Sequence, residues 1–153
     1  MLKLVRVDDR LLHGQIICSW VPFIGAEALV VASDEAAGDR LVAEIIAACG
    51  NKELRVHVLT LKDAVSFVNK GSSESIMLVV GELTDAMRLY EEGMRFSALN
   101  LGNVHHDDGR KITPSIIVNA EDEEIMARFE DLGVAIEIRD VPRSAPVAYR
   151  KNG

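Results

Sequence analysis

"SIMLVVG", residues 75–81, decides the fold. Its apolar core, Ile76 to Val80, shows neither strict alternation nor a helical stripe, and a glycine closes it. A strand that reads this way has both faces covered, the habit of a central strand in a parallel sheet. Parallel neighbours require crossover connections, so helices and strands should alternate on either side of it. Upstream they do: "LKLVRV" (2–7), "EALVVAS" (27–33) and "LRVHVLT" (54–60) read as strands. "GQIICSWVPF" (14–23) reads as a helix with Ile16, Ile17 and Trp20 on one face, ended by Pro22 and Gly25. "DEAAGDRLVAEIIAACG" (34–50) reads as one helix, capped by Ser33 or Asp34, with Leu41, Ile45 and Ala48 sharing a face and Gly50 stopping it. Thr60 caps "LKDAVSFVNKG" (61–71), where Leu61, Val65 and Val68 line one side.

Downstream, Thr84 caps "DAMRLYEEG" (85–93) and "SALNLG" (97–102) is a fifth strand. "KITPSIIVN" (111–119) is a weaker extended stretch in which Pro114 marks an edge or a strand start. "EDEEIMARFEDLG" (121–133) is a helix with acids in its first turn, and "VAIEIRDV" (134–141) alternates as a final strand. The predicted fold is α/β: three αβα layers around an open, mostly parallel sheet of about six or seven strands, with right-handed crossovers. The length of 153 residues suits one domain over 1–153. The tail "PRSAPVAYRKNG" (142–153), with two prolines, is expected to be an arm or poorly ordered.

Composition narrows the function. Hydrophobic residues make up 48% and aromatics 5%, so the core is aliphatic. Lys plus Arg number 17 against 24 Asp plus Glu, a net charge of -7, which argues against nucleic acid as a partner. Any anion site is then a local basic spot on an acidic body, and Lys3, Arg6, Arg10 and His13 in the first thirteen residues supply one. Cys18 and Cys49 lie in apolar helical patterns without metal-ligand spacing and read as reduced, buried thiols of a cytoplasmic protein. No apolar run approaches a membrane span, and Arg6, Asp8, Asp9 and Arg10 interrupt any signal-peptide core.

The stretch "LVRVDDRLLHGQI" (4–16) carries the chemistry. It is a strand, a charged loop and a helix start, and ligands of open α/β sheets bind at such loops. Arg10 offers a planar fork of donors matched to phosphate. His13 sits at the first turn of the helix, where backbone N–H groups and the dipole favour an anion. An imidazole that is substantially neutral near pH 7 can attack phosphorus, and Asp8 or Asp9 can hold the ring or the arginine. A charged turn followed by a solvated cap residue would produce the same letters.

The wider pattern weighs against that plainer reading. "VDDRLLHGQIICSW" resembles the signature of the enzyme IIB components of the mannose/fructose/sorbose class of bacterial sugar phosphotransferase systems: Val7, Asp8, Asp9, Arg10, two leucines, His13, Gly14, Gln15 and, further on, Trp20. "ASDEAAGD" (32–39), "LNLGNVHHDDGRKITPSIIV" (99–118) and "LGVAIEIRDVP" (132–142) resemble later segments of that family in the same order. The resemblance implies a protein-histidine sugar phosphotransferase. His13 takes a phosphoryl group from a phosphohistidine of a IIA partner and passes it to a hexose-type sugar carried by a membrane IIC/IID pair. It places the phosphate among Arg10 and the backbone of Gly14 and Gln15, with Asp9 assisting. It implies no cofactor and no metal, and a location in the cytoplasm against the inner face of the membrane through the transporter. Homo-oligomerisation stays open. A regulatory module of the same fold, signalling by its phosphorylation state without sugar delivery, would carry the same His13 site. The chain departs from the family where Gly-Gly-Met becomes Gly102-Asn103-Val104 followed by "HHDDG", and in a shorter tail.

His105, His106, Asp107 and Asp108 read as a solvated loop tip rather than a metal site, since adjacent residues on one loop rarely reach one ion. If strand five ends near Gly102, this tip lies on the same edge as His13. His57 reads as a half-buried structural residue and Trp20 as core. "GELTDA" (81–86) has no GxGxxG and no Walker lysine, so nucleotide binding is disfavoured.

Overall fold

A computed structural model describes residues 1–151. Its strands are β1 (Leu2–Asp8), β2 (Ala28–Ala32), β3 (Arg55–Leu59), β4 (Ile76–Val80), β5 (Ala98–His105), β6 (Arg110–Thr113), β7 (Ile116–Val118), β8 (Ala135–Ile138) and β9 (Val147–Tyr149). The first helix, α1, is π-helical over Ile16–Trp20 and α-helical over Val21–Ile24. The others are α2 (Asp34–Gly38), α3 (Arg40–Ala47), α4 (Leu61–Asn69), α5 (Leu83–Glu91) and α6 (Ala120–Asp131).

The main sheet runs β3-β2-β4-β1-β5-β8-β9, parallel throughout except for β9. As the apolar run predicts, β4 lies inside it, between β2 and β1, and all five of its residues are buried. Alternation along the strands divides the core in two. Val5, Val7, Leu78, Val80, Leu99 and Leu101 join α4, α5 and α6 on one face. Leu29, Met77 and Val79 join Ile16, Trp20 and Val21 of α1 on the other. The chain leaves β1 toward β2 and β3, then returns through β4 to β5 beyond β1. Its connections therefore reverse direction at β1, and the end of β1 is the topological switch point where α/β sheets bind ligands.

Several local expectations are corrected. The 34–50 segment is two helices, because Asp39 adopts an extended conformation (φ -107°, ψ 101°) and caps α3 through Val42 N–H. Leu41 and Ile45 then face solvent, 67% and 60% exposed, rather than the core. Cys18 and Cys49 are exposed, one on the outer side of α1 and the other past the end of α3. Glu82, not Thr84, stands at the start of α5. The 111–119 stretch is a hairpin, β6 antiparallel to β7, with Pro114 in its turn, and β7 pairs parallel with the far end of β5. The predicted arm instead supplies β9, antiparallel to β8, with Ala148 opposite Glu137. The two prolines of the tail, Pro142 and Pro146, both precede that short edge strand and do not enter it. His57 is half-buried on β3 and packs against Phe67, ring centroids 4.8 Å apart.

Candidate functional site

The loop between β1 and α1 is built on a buried carboxylate. Asp8, the last residue of β1, is fully buried. Its Oδ1 accepts the Arg10 backbone N–H at 3.0 Å. Its Oδ2 lies 2.8 Å from His13 Nε2 and accepts from Asn103 Nδ2 at 3.1 Å. An ionised carboxylate only accepts hydrogen bonds, so the His13 proton belongs on Nε2 and Nδ1 keeps its lone pair. The loop turns through Leu11, whose φ of 54° is left-handed and uncommon for a leucine. Leu11 N–H donates to Asp8 carbonyl at 2.9 Å, closing that turn.

Arg6 anchors the carboxylate from below. It is fully buried, with its guanidinium carbon 4.8 Å from the Trp20 ring centroid. It donates to Asn100 Oδ1 at 2.5 Å, to the carbonyls of Arg139 and Asp140 at 2.8 and 2.9 Å, and to Asp8 Oδ2 at 3.5 Å. Burial pushes the guanidinium below its ordinary pKa, and Asp8 pulls it back up. The Trp20 indole N–H donates to Asp140 carbonyl at 3.0 Å, and Asn100 Nδ2 donates to Glu137 at 3.0 Å. Room for the guanidinium comes from a bulge: Val7 pairs with Leu101 but Asp8 pairs with Asn103, leaving Gly102 out of register. A Cβ on Gly102 would lie 2.0 Å from Arg6 Nη2.

The five residues singled out from the sequence lie along this one loop. His13 is held by Asp8; Asp9 turns the other way, with its Oδ2 2.7 Å from His105 Nδ1. Arg10 is half exposed, with its Nε 3.8 Å from Asp8 Oδ1. Gly14 and Gln15 are exposed at the first turn of the helix, and a Cβ on Gly14 would meet nothing within 4 Å. Trp20 is core, as expected. The basic spot is smaller than the sequence suggests. Arg6 is buried beneath it, and Lys3 stands near the start of β1, at the opposite end of the strand from the loop.

Two depressions flank the loop. An open cleft of about 590 Å³ lies between α1 and residues 141–143, lined by Gln15, Ser19, Phe23, Pro142 and Arg143 among others. On the other side a recess of about 360 Å³ is lined by Asp9, Leu11, Asp34, Glu35, Glu82 and Asp85 with their neighbours. Burial, with Glu82 and Asp34 adding to it, raises the Asp85 pKa to about 6. Sequence reading missed Arg6 as a buried anchor, and with it Asn100, Asn103 and Glu137. The available signal was the polar residues inside "LVRVD" and "LNLGN", strands otherwise apolar.

The end of β1 in this α/β sheet thus presents an imidazole held by a buried carboxylate, with a half-exposed arginine on the same loop. The family model for the PTS system sorbose subfamily IIB component matches residues 2–151, and the chain belongs to that family. It is 31% identical over 151 residues to the N-acetylgalactosamine-specific phosphotransferase enzyme IIB component 2 of Escherichia coli (strain K12), covering 95% of this chain and 94% of that protein. It is 27% identical over 144 residues to the mannose-specific EIIAB component of the same organism, covering 92% of this chain but 45% of that longer protein. The fold matches the IIB domain of the sorbose permease from Klebsiella pneumoniae with a TM-score of 0.88 at 21% identity, over 96% of this chain and 92% of that one. No helix among the described residues is long and apolar enough to cross a membrane.

Proposed function

We propose that His13 is the phosphoryl carrier of this IIB protein, taking the group from a phosphohistidine of a IIA partner and passing it to a sugar carried by a membrane IIC/IID pair. The observation that carries the proposal is the 2.8 Å contact between His13 Nε2 and the buried Asp8 carboxylate. It orients the ring and leaves Nδ1 as the nucleophile. Nδ1 attacks the phosphorus in line; the new N–P bond forms as the bond to the partner's imidazole breaks, and that imidazole leaves with its electron pair. The His13 ring becomes cationic at this point, and Asp8 stabilises the Nε2–H that carries the charge. In the second step a sugar hydroxyl attacks the phosphorus: its O–P bond forms as the N–P bond breaks, the electron pair of that bond returns to Nδ1, the hydroxyl proton passes to solvent, and neutral His13 with its proton on Nε2 is regenerated.

Such a transfer depends on positioning and charge stabilisation more than on acid–base machinery. Arg10 can swing its fork onto the phosphoryl oxygens from half-exposed positions, and the first-turn N–H groups of Gly14 and Gln15 add donors. Asp9 serves this reading only indirectly, since its carboxylate is engaged by His105.

The test is incubation with phosphoenolpyruvate, enzyme I, the histidine-containing phosphocarrier protein and a IIA protein, followed by mass spectrometry. One phosphoryl group per chain is expected on His13, acid-labile and alkali-stable. His13→Ala should stay folded and unlabelled. Stoichiometric labelling of His13→Ala would overturn the assignment.

A further inference from the structure

The end of β5 holds the phosphoryl loop at two successive acids. Residues two apart on a strand face the same way, so Asn103 and His105 present their side chains on one side. Asn103 Nδ2 donates to Asp8 at 3.1 Å, and its carbonyl accepts the Asp9 backbone N–H at 3.0 Å. His105 Nδ1 lies 2.7 Å from Asp9 Oδ2. His106 has its Nε2 2.9 Å from Asp122 of α6, a buried residue of the capping box with Asn119. That second pair ties the root of the β5–β6 turn to α6, while the first ties it to the loop.

Asp9 and Arg10 are otherwise exposed, and the next residue, Leu11, sits in a left-handed conformation. Side-chain tethers therefore have much to do in holding this loop in one arrangement. A free Asp9 carboxylate next to Arg10 would also compete with an incoming phosphoryl group for the guanidinium fork. A hydrogen bond to His105 draws that carboxylate toward β5 and away from Arg10.

We propose that His105 is a positioning residue for phosphoryl transfer: by holding Asp9 through Nδ1 it fixes the loop and keeps the Arg10 fork free for the phosphoryl group. The inference rests on the reading of His13 as acceptor. His105 does not touch the transferred group; it acts through Asp9. The pair is partly solvent-exposed, with side-chain exposures of 46% and 31%, so its effect on rate is moderate.

The experiment compares the full chain with its His105→Leu and His105→Asn variants in single-turnover transfer from a phosphorylated IIA protein at pH 8. Asparagine places an amide donor where Nδ1 stands, and leucine places none. His105→Leu should slow transfer at saturating partner by about two- to fivefold, with the half-saturating partner concentration unchanged within about twofold. His105→Asn should recover the wild-type rate to within about twofold. Long-range ¹H–¹⁵N spectra at the same pH should place the neutral His105 proton on Nδ1, and Asp9→Ala, which leaves no acceptor there, should move it to Nε2. A wild-type rate in His105→Leu, no recovery in His105→Asn, or an Nε2–H tautomer unaffected by Asp9→Ala would each overturn the proposal. Wild-type protein that takes no label at His13 would instead overturn the acceptor reading, and the tautomer measurement would still report on the Asp9–His105 pair.

Discussion

Replacing Gly102 by alanine should be among the most damaging single-methyl changes in the protein. The added Cβ would lie 2.0 Å from Arg6 Nη2, 2.2 Å from Cζ and 2.7 Å from Nε. The atom in the way is the end of a flexible side chain, which in an exposed setting would simply move. Here it is fully buried, with Trp20 near its face, and hydrogen-bonded to Asn100, Arg139 and Asp140. To clear the methyl, the guanidinium must retreat by more than about 1 Å, which breaks those bonds or displaces the indole. Overpacking alone costs about 1–3 kcal/mol, and depriving a buried charge of its partners about 3–5 kcal/mol. The two overlap, and the glycine-to-alanine change recovers up to about 1 kcal/mol through the unfolded chain. The net expectation is a loss of about 3 kcal/mol, or about 6–12 °C in Tm for a chain of this size. Urea unfolding followed by the single tryptophan, Trp20, gives the number directly. In an Arg6→Met background the same Gly102→Ala change should cost less than about 1 kcal/mol, because the clash needs the guanidinium. A loss below about 1 kcal/mol in the otherwise unchanged chain, or an undiminished loss in the Arg6→Met background, would refute this account of the bulge.

Three further outcomes are expected. Arg10→Lys keeps the charge but loses the bidentate fork; at about 1.5–3 kcal/mol per charge-assisted hydrogen bond, transfer to His13 should slow roughly tenfold to a hundredfold in a rapid-quench assay. Asp85, with its pKa raised to about 6 from 3.8, binds its proton more tightly folded than unfolded, so its ionisation weakens the fold as pH rises through 6. Asp85→Asn should therefore stabilise the protein by about 1 kcal/mol at pH 7–8 after allowance for solvent screening, with the gain gone below pH 4, as chemical denaturation across that range would report. Leu41→Lys and Ile45→Lys should each leave the urea midpoint within about 0.5 kcal/mol of wild type, because both side chains already face solvent.

Legible in the sequence were the alternation of strands and helices as far as β5, the mostly parallel character of the sheet and the loop that carries the candidate site. These are local or periodic properties: a continuous apolar run at 76–80, caps at Ser33 and Thr60 that accept the expected backbone N–H groups, and a charged loop between a strand and a helix. Local pattern failed where a partner distant in sequence decides the outcome. The Leu41–Ile45 stripe has helical spacing, but spacing cannot say whether a neighbour exists to cover it. The tail became β9 because β8 offered an edge to pair with, not because "VAY" is a strong strand sequence. The choice between Asp8 and Asp9 as the partner of His13 was likewise invisible in "VDDR". Asp8 closes β1 and Asp9 opens the turn, and only the tertiary structure decides which carboxylate meets Arg6, Asn103 and the imidazole and which meets His105. Arg6 is the sharpest case: by composition a surface cation, it is buried because a glycine 96 positions away leaves room for it, and because Asn100 and two carbonyls beyond β8 accept from its Nη1 and Nη2.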